Sequence, residues 1–438
     1  MQAQAATNVG SIRAPGLPPW PIYALFGLFP LWWVLGLGAL IWPIIAVPAA
    51  LMLILRGHVR VPRGFGIWLA FLAWMLGSAL MLDQPTRVIS FSFRAALYLS
   101  ATVLFVYVYN TSRQDLPVRR AAIAMTLMWV LVVVGGYLGL KFPTVSLHTP
   151  TEALMPKGLL ANDFVHDLVR PKFAQVDRLS RYTPRPQAPF TYTNEWGSNY
   201  ALLLPFLFIT LAALRTGPLR IGLLMLLPVS LVPVFLSLNR GLWLSLGAGL
   251  LYVAFRSATH GRVRTMLAVV LLIGLAVGVA TVLPVRELIG GTKAKTESTA
   301  SRLSLYEETI RETLESPVLG YGAPRQSSLG GQPDVGTQGQ LWMVLYSHGI
   351  PGAAFFVLWL VAAAWRLRRA RAGPILWSHV ILLMAIIQMP FYGMLPVELQ
   401  LVMVAAGLGF RELDLQKAAS AAPVPTTMRA PAAPSVTR

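Results

Sequence analysis

Twelve stretches of this chain are so continuously apolar that a lipid bilayer is the main environment left for it to fold in. They run over residues 20–37, 39–55, 66–82, 93–110, 121–140, 197–214, 219–237, 241–256, 265–284, 350–366, 374–392 and 396–410. A membrane span needs about 20 mostly apolar residues, and the third, eighth and twelfth stretches are the shortest. Within lipid, only helices and closed barrels satisfy their own backbone. The runs are continuous, not alternating, so they predict helices. The expected fold class is an all-α integral membrane protein of about twelve transmembrane helices.

The charge distribution has to be consistent with that. The chain carries 36 Lys+Arg against 17 Asp+Glu, a formal net charge of +19, yet only 12% of its residues are charged and 55% are hydrophobic. Soluble domains average about 25% charged residues. An excess of base alone would suggest a nucleic-acid partner, but that apolar content argues against one. There is no cysteine, hence no disulfide framework and no thiolate metal site. Residues 1–19 are polar and proline-rich and lack the charged-then-apolar plan of a cleaved signal peptide. They are expected as a cytoplasmic segment, with the first span kept as an anchor.

Five short loops carry the arginines: Arg56, Arg60, Arg63; Arg113, Arg119, Arg120; Arg215, Arg220; Arg256, Arg262, Arg264; and Arg366, Arg368, Arg369, Arg371. With twelve spans, all five fall on one side, which the positive-inside bias makes cytoplasmic. Both termini are then cytoplasmic. The expected order is spans one to five over 20–140, a long periplasmic or extracellular loop over 141–196, spans six to nine over 197–284, a second long outer loop over 285–349, spans ten to twelve over 350–410, and a disordered tail over 411–438. Loops of that length are usually functional or disordered. In the second, Leu303, Tyr306, Ile310 and Leu314 recur at helical spacing among charged residues, predicting an amphipathic helix at the membrane surface or over the bundle. The first is rich in proline, and little regular structure is expected there.

Function is therefore sought on the outer face. Arg240 is the one charge in a very short outer turn, where it opposes the topology bias. Charge near lipid marks a candidate site, although an interfacial arginine can also simply snorkel. Arg302 opens the amphipathic helix and can equally be a solvated face residue. Arg185 stands in a stiff Pro-rich segment leading to the sixth span, or is an ordinary loop charge. His348 precedes Gly349 and the tenth span, where imidazole can accept a proton near neutral pH or be merely a polar interfacial group. His58 and His260 fall on the cytoplasmic side and His379 near it, while His148 and His166 are external. Arginine binds phosphate bidentately and keeps its charge, so outer arginines with a histidine suit an anionic lipid-linked substrate. No P-loop, glycine fingerprint or Asp-x-Asp pair is present. The carboxylates available for an alternative site are Asp163, Asp167, Glu307 and Glu308.

Four blocks in order resemble the O-antigen ligase/polymerase family. They are Phe190-Thr191-Tyr192-Thr193-Asn194 with Gly197 and Asn199-Tyr200-Ala201; Ser237-Leu238-Asn239-Arg240-Gly241, with Asn239 in place of the family's second small hydroxyl residue; Arg302 to Tyr306 with Ser316-Pro317-Val318-Leu319-Gly320-Tyr321-Gly322; and Gln338 with Tyr346-Ser347-His348-Gly349-Ile350 and Gly352. The resemblance covers about residues 185–366. It implies a bacterial membrane glycosyltransferase that takes a glycan from an undecaprenyl diphosphate carrier and passes it to lipid A-core or to another lipid-linked repeat, without cofactor or metal. It further implies that Arg240 and Arg302 bind the donor diphosphate and that His348 activates or positions the acceptor hydroxyl. Arg185 is added to the diphosphate set on position and charge. The partners implied are the lipid-linked donor, the glycan acceptor and membrane lipid, with no nucleic acid. A transporter or flippase of lipid-linked sugars is the alternative from another class, and it predicts ionisable groups buried within the spans.

Overall fold

The structure is a computed structural model. It describes residues 16–176, 184–282, 292–330 and 332–421. The first 15 residues of the expected N-terminal segment, and the tail beyond Ala421, lie outside the described residues.

Helix occupies each of the twelve apolar ranges. The first range is a broken helix, Trp20–Ile22 and Phe29–Val34 joined by a π-helical turn at Tyr23–Gly27. The long helices that follow are α1 (Ile41–Leu55), α2 (Gly66–Gly77), α3 (Pro85–Asn110), α4 (Val118–Lys141), α5 (Thr193–Ala213), α6 (Pro218–Leu236), α7 (Arg240–Thr259), α8 (Val263–Val282), α9 (Thr292–Glu315), α10 (Gln340–Leu367), α11 (Gly373–Gln388) and α12 (Glu398–Ala421). Among the described residues, seven of these are long and apolar enough to cross a membrane: α3 to α8 and α10. Three more, at Ile41–Leu55, Gly66–Met81 and Gly373–Gln388, are apolar but shorter. This is an all-α, multi-pass membrane protein. Helix α5 lies along α4 and α11, and α12 along α3 and α11. One continuous apolar core runs through these contacts.

Several expected boundaries differ. Helix α12 continues past residue 410 to Ala421, into the stretch expected as a tail. The reason is local: Arg411 is buried and donates to the carbonyls of Thr111 and Leu116, and Arg366 pairs with Asp414 at 2.9 Å. The first long loop, expected on the outer face, holds three short helices, Pro150–Leu154, Lys157–Leu160 and Asp163–Val169, and a two-residue ladder pairing Ala174-Gln175 with Arg185-Pro186. Pro150 starts a helix there because its ring presets φ and its missing N–H is not needed at a first turn.

The amphipathic helix α9 forms, but inverted. Leu303, Ile310 and Leu314 of the apolar stripe are exposed, whereas Leu305, Glu308, Thr309 and Thr313 are buried. In a membrane protein the apolar stripe can meet lipid, so the face turned to the protein is the one with hydrogen bonds to make. Glu308 accepts from the Ser328 N–H (2.7 Å) and from the hydroxyls of Ser327 and Ser328, and Glu312 accepts from the Tyr346 hydroxyl (2.8 Å).

Candidate functional site

The tenth span begins ten residues earlier than the sequence suggests, at Gln340, and kinks at Gly349. Gly349 has φ +69°, and a Cβ there would collide with the carbonyls of Pro317 and Val318. This is where the Ser316–Gly322 block docks. The Tyr321 and Gly322 N–H groups donate to the carbonyls of Tyr346 and Ser347, and the Ile350 N–H donates to Pro317. Trp74 Nε1 bridges the carbonyls of Val318 (2.9 Å) and His348 (3.1 Å). Two of the four sequence blocks are therefore one structural unit. From the other side, buried Arg87 donates to the carbonyls of Tyr321 (2.7 Å), Ala323 and Pro324 (3.3 Å) and pairs with Asp83, which also pairs with Arg325 at 2.8 Å. The hydrogen bond from Arg87 holds the Asp83 carboxyl below its ordinary range.

His348 is buried just before the kink, among the rings of Phe71, Phe91 and Tyr98. Its Nδ1 lies 2.7 Å from Ser78 Oγ. Ser78 gives its single hydroxyl proton to the Met75 carbonyl (2.6 Å), so its oxygen can only accept from the ring. That assigns the proton to Nδ1 and leaves Nε2 as the acceptor.

The arginines gather elsewhere, around Tyr392 in the turn between α11 and α12. The Ser237–Gly241 block turns sharply there, with Leu238 at φ 53°. Asn239 caps α7 by accepting from the Leu242 N–H (3.2 Å), a role that its amide fills well. The Tyr392 hydroxyl donates to Asn239 Oδ1 and accepts from the Gly241 N–H at 2.7 Å. Burial raises the Tyr392 hydroxyl above its ordinary range, opposed by that N–H and by the charges of Arg302 and Arg185. Arg185 Nε donates to the Ser237 carbonyl (2.9 Å). Arg240, the first residue of α7, is exposed, and Arg302 is half-buried. Asn239 Nδ2 donates to the Thr193 carbonyl (3.2 Å), which brings in the start of α5.

Gln340 joins the two halves. Its backbone N–H donates to the Tyr392 carbonyl (2.8 Å), and its side chain donates to the Tyr98 hydroxyl (2.7 Å), whose ring lies against His348. Tyr392, Gln340, Tyr98 and Ser78 were not legible as site residues, since none stands in a charged or motif-like context.

Residues 223–357 match the O-antigen ligase family model. The matched segment contains Arg240, Arg302 and His348, while Arg185 and Tyr392 lie outside it. No curated protein matches the chain. Within and around that segment, two of the alternative carboxylates, Glu308 and Asp167, are engaged otherwise. Burial pushes Glu308 up, but its bonds from Ser327 and Ser328 outweigh that and hold it below its ordinary range. Asp167 binds Lys172 at 2.8 Å, Glu307 is exposed, and the Asp163 side chain lies outside the described residues. Among the described residues no group of three or more His, Asp or Glu could hold a metal ion.

Proposed function

We propose that this protein is a glycosyltransferase that moves a glycan from an undecaprenyl diphosphate carrier to an acceptor hydroxyl at the outer face of the bacterial cytoplasmic membrane. In this reading the arginine-rich loops and both termini are cytoplasmic, twelve helices cross the membrane, and the two long loops face outward. The O-antigen ligase domain supports the transfer of lipid-linked glycan. The observation that carries the reading is the gathering of Arg185, the Arg240 turn and Arg302 about Tyr392, linked through Gln340 to a histidine of defined tautomer.

The chemistry follows from those groups. The arginines hold the diphosphate and stabilise the charge it gains as the bond from the anomeric carbon to its oxygen breaks. The acceptor oxygen forms the new bond to that carbon and gives its proton to Nε2 of His348. Ser78 keeps the other ring nitrogen protonated, so Nε2 faces the reaction with a lone pair. The leaving group departs with its electron pair, and no nucleotide is consumed. The inverted α9, with its apolar stripe toward lipid, suits a loop that sits at the bilayer surface beside a membrane-bound carrier.

Reconstitution in liposomes with undecaprenyl diphosphate-linked glycan and acceptor tests this. Product is expected without ATP or nucleotide sugar, and His348→Ala is expected to reduce transfer by about 10²–10⁴-fold. Full transfer by both His348→Ala and Arg302→Ala, at normal membrane levels, would overturn the site. Surface glycan from a deletion strain separates the two acceptor classes. Single repeats still attached indicate a polymerase, and none attached indicates a ligase.

A further inference from the structure

A second cleft lies beside the arginine turn, and the ionisable groups in its lining are carboxyls. It lies between the turn after the first broken helix, the first outer loop and the start of α5. It is lined by Phe29, Trp33, Phe190, Thr191, Asp167 and Glu195, with Val397 at its floor. Its empty volume is about 370 Å³ including the open mouth, of which only about 20 Å³ admits an atom as large as a water molecule. Glu398, next to Val397, is fully buried, and both of its carboxylate oxygens lack any hydrogen-bond partner. Trp33 is 7% exposed, and its Nε1 is also buried without a partner.

Orphaned buried polar groups are costly, each about 1–3 kcal/mol or more for charged groups. Native proteins keep few of them, and those kept call for an explanation. Here an indole donor is left open at the wall of a cleft with aromatic sides, and a buried carboxyl follows the lining residue Val397 in the chain. Apolar and aromatic lining with a few open polar groups is the make-up of a small-ligand site. Carboxylates take hydroxyl protons, the indole N–H takes an oxygen, and the rings of Phe29, Phe190 and Trp33 take apolar C–H faces. A ligand offering all three is a sugar. The narrow depth admits a hydroxyl-bearing arm, with the ring at the mouth. Phosphate, uronic and sialic acids are disfavoured, because none of the lining residues is Lys, Arg or His and the Asp167 carboxylate at the wall repels an anion.

We propose that this cleft is a subsite for one neutral, hydroxyl-rich sugar unit of the glycan being transferred, separate from the arginine site that holds the diphosphate. The proposal rests on the transferase reading. The two sites meet at the start of α5: Thr193 bonds Asn239 of the arginine turn, and Glu195, one residue beyond Asn194, lines the cleft. A carrier-linked glycan presents anion and sugar side by side, and this surface offers arginines and a carboxyl-lined aromatic cleft side by side.

The test is saturation-transfer NMR on the full-length protein in detergent, with methyl glycosides of glucose, galactose, mannose and N-acetylglucosamine, and methyl glucuronide as the anionic probe. At least one neutral glycoside is expected to bind, with the glucuronide at least about tenfold weaker. Trp33→Phe, which keeps the ring and removes the N–H, is expected to weaken binding about tenfold, the loss of one hydrogen bond. Arg302→Ala is expected to bind sugar as wild type while losing transfer. In the reconstituted reaction, a raised KM for the acceptor alone assigns the cleft to the acceptor sugar, and for the donor alone to the donor's. The proposal is overturned if no neutral glycoside binds, if the glucuronide binds equally, or if Trp33→Phe binds as wild type. Sugar binding without transfer from any lipid-linked donor would instead sink the transferase reading and leave the cleft.

Discussion

Helices α5 and α8 are similar in length, and the more hydrophobic of the two is the less buried. The best window of α8 has a mean hydropathy of 2.5 and is 6% buried, while that of α5 has 1.4 and is 83% buried. In water the order would be reversed. In a bilayer, lipid tails are as apolar as leucine, so hydrophobicity does not choose between lipid and protein. Packing and polar bonding choose instead. Helix α5 brings Thr193, Gly197, Ser198 and Asn199 into the protein. Ser198 bonds Gln388 (2.7 Å), and the Thr193 carbonyl accepts from Asn239. Helix α8 has one buried residue, Val269. The site is accordingly assembled from the less hydrophobic helix.

The sharpest way to break this contrast is to make one change in both helices. Alanine favours an exposed helix interior over glycine by about 1 kcal/mol. At Gly274 of α8 an added Cβ meets nothing, whereas at Gly197 of α5 it would collide with the Asn239 amide. Gly197→Ala is expected to displace the cap of α7, and Arg240 with it, and to lower glycan transfer about 100-fold, the scale of a misplacement of about 1 Å. Gly274→Ala is expected to change neither transfer nor melting temperature downward. Equal effects in the liposome assay would remove the contrast.

A smaller effect is expected from Tyr392→Phe. It deletes the hydroxyl shared by Asn239 and Gly241 and leaves the ring. Losing one buried hydrogen bond costs about 1 kcal/mol, so transfer should fall about tenfold or less, with protein level in the membrane unchanged. An unchanged kcat would detach Tyr392 from the arginine site.

The smallest effect belongs to a region held by surface charge, unlike the neutral buried bonds of α5. Asp83 pairs with Arg87 and Arg325 and has a lowered pKa. A depressed carboxylate stabilises the fold above its unfolded value, and that contribution is lost as pH falls through the folded value. The second outer loop is therefore expected to become more open to proteolysis only below about pH 4, the ordinary range of the group. Asp83→Asn should show the same opening at pH 7 at a cost of about 1 kcal/mol or less. Protection that does not vary between pH 3 and 7 would show that the buried bonds of Arg87 alone hold the loop.

Much of this was readable from residues alone. Arg240 stood out because a charge in a short outer turn needs a reason, and His348 because it preceded a glycine at a span boundary. The helical period of Leu303, Tyr306, Ile310 and Leu314 announced α9, but not which face it buries, because period carries no information on whether lipid or protein lies opposite. Ser78 bonds His348 across 270 positions and Gln340 bonds Tyr98 across 242, so neither left a local signal. Glu398 looked like a charge near a span end, and only the fold leaves it buried without a partner.

The sequence by itself determined that the chain lives in a membrane, where its helices lie, and which charged residues stand in the short turns between them. Those properties follow from local composition, because the cost of placing backbone and charge in lipid is paid residue by residue. The tertiary structure alone decided which helix faces lipid, which tautomer His348 adopts, that Arg185 and Arg302 act on Tyr392 beside the Arg240 turn, and that a carboxyl-lined cleft opens beside them. Each of these depends on groups far apart in the chain, and their distances are set only when the helices pack.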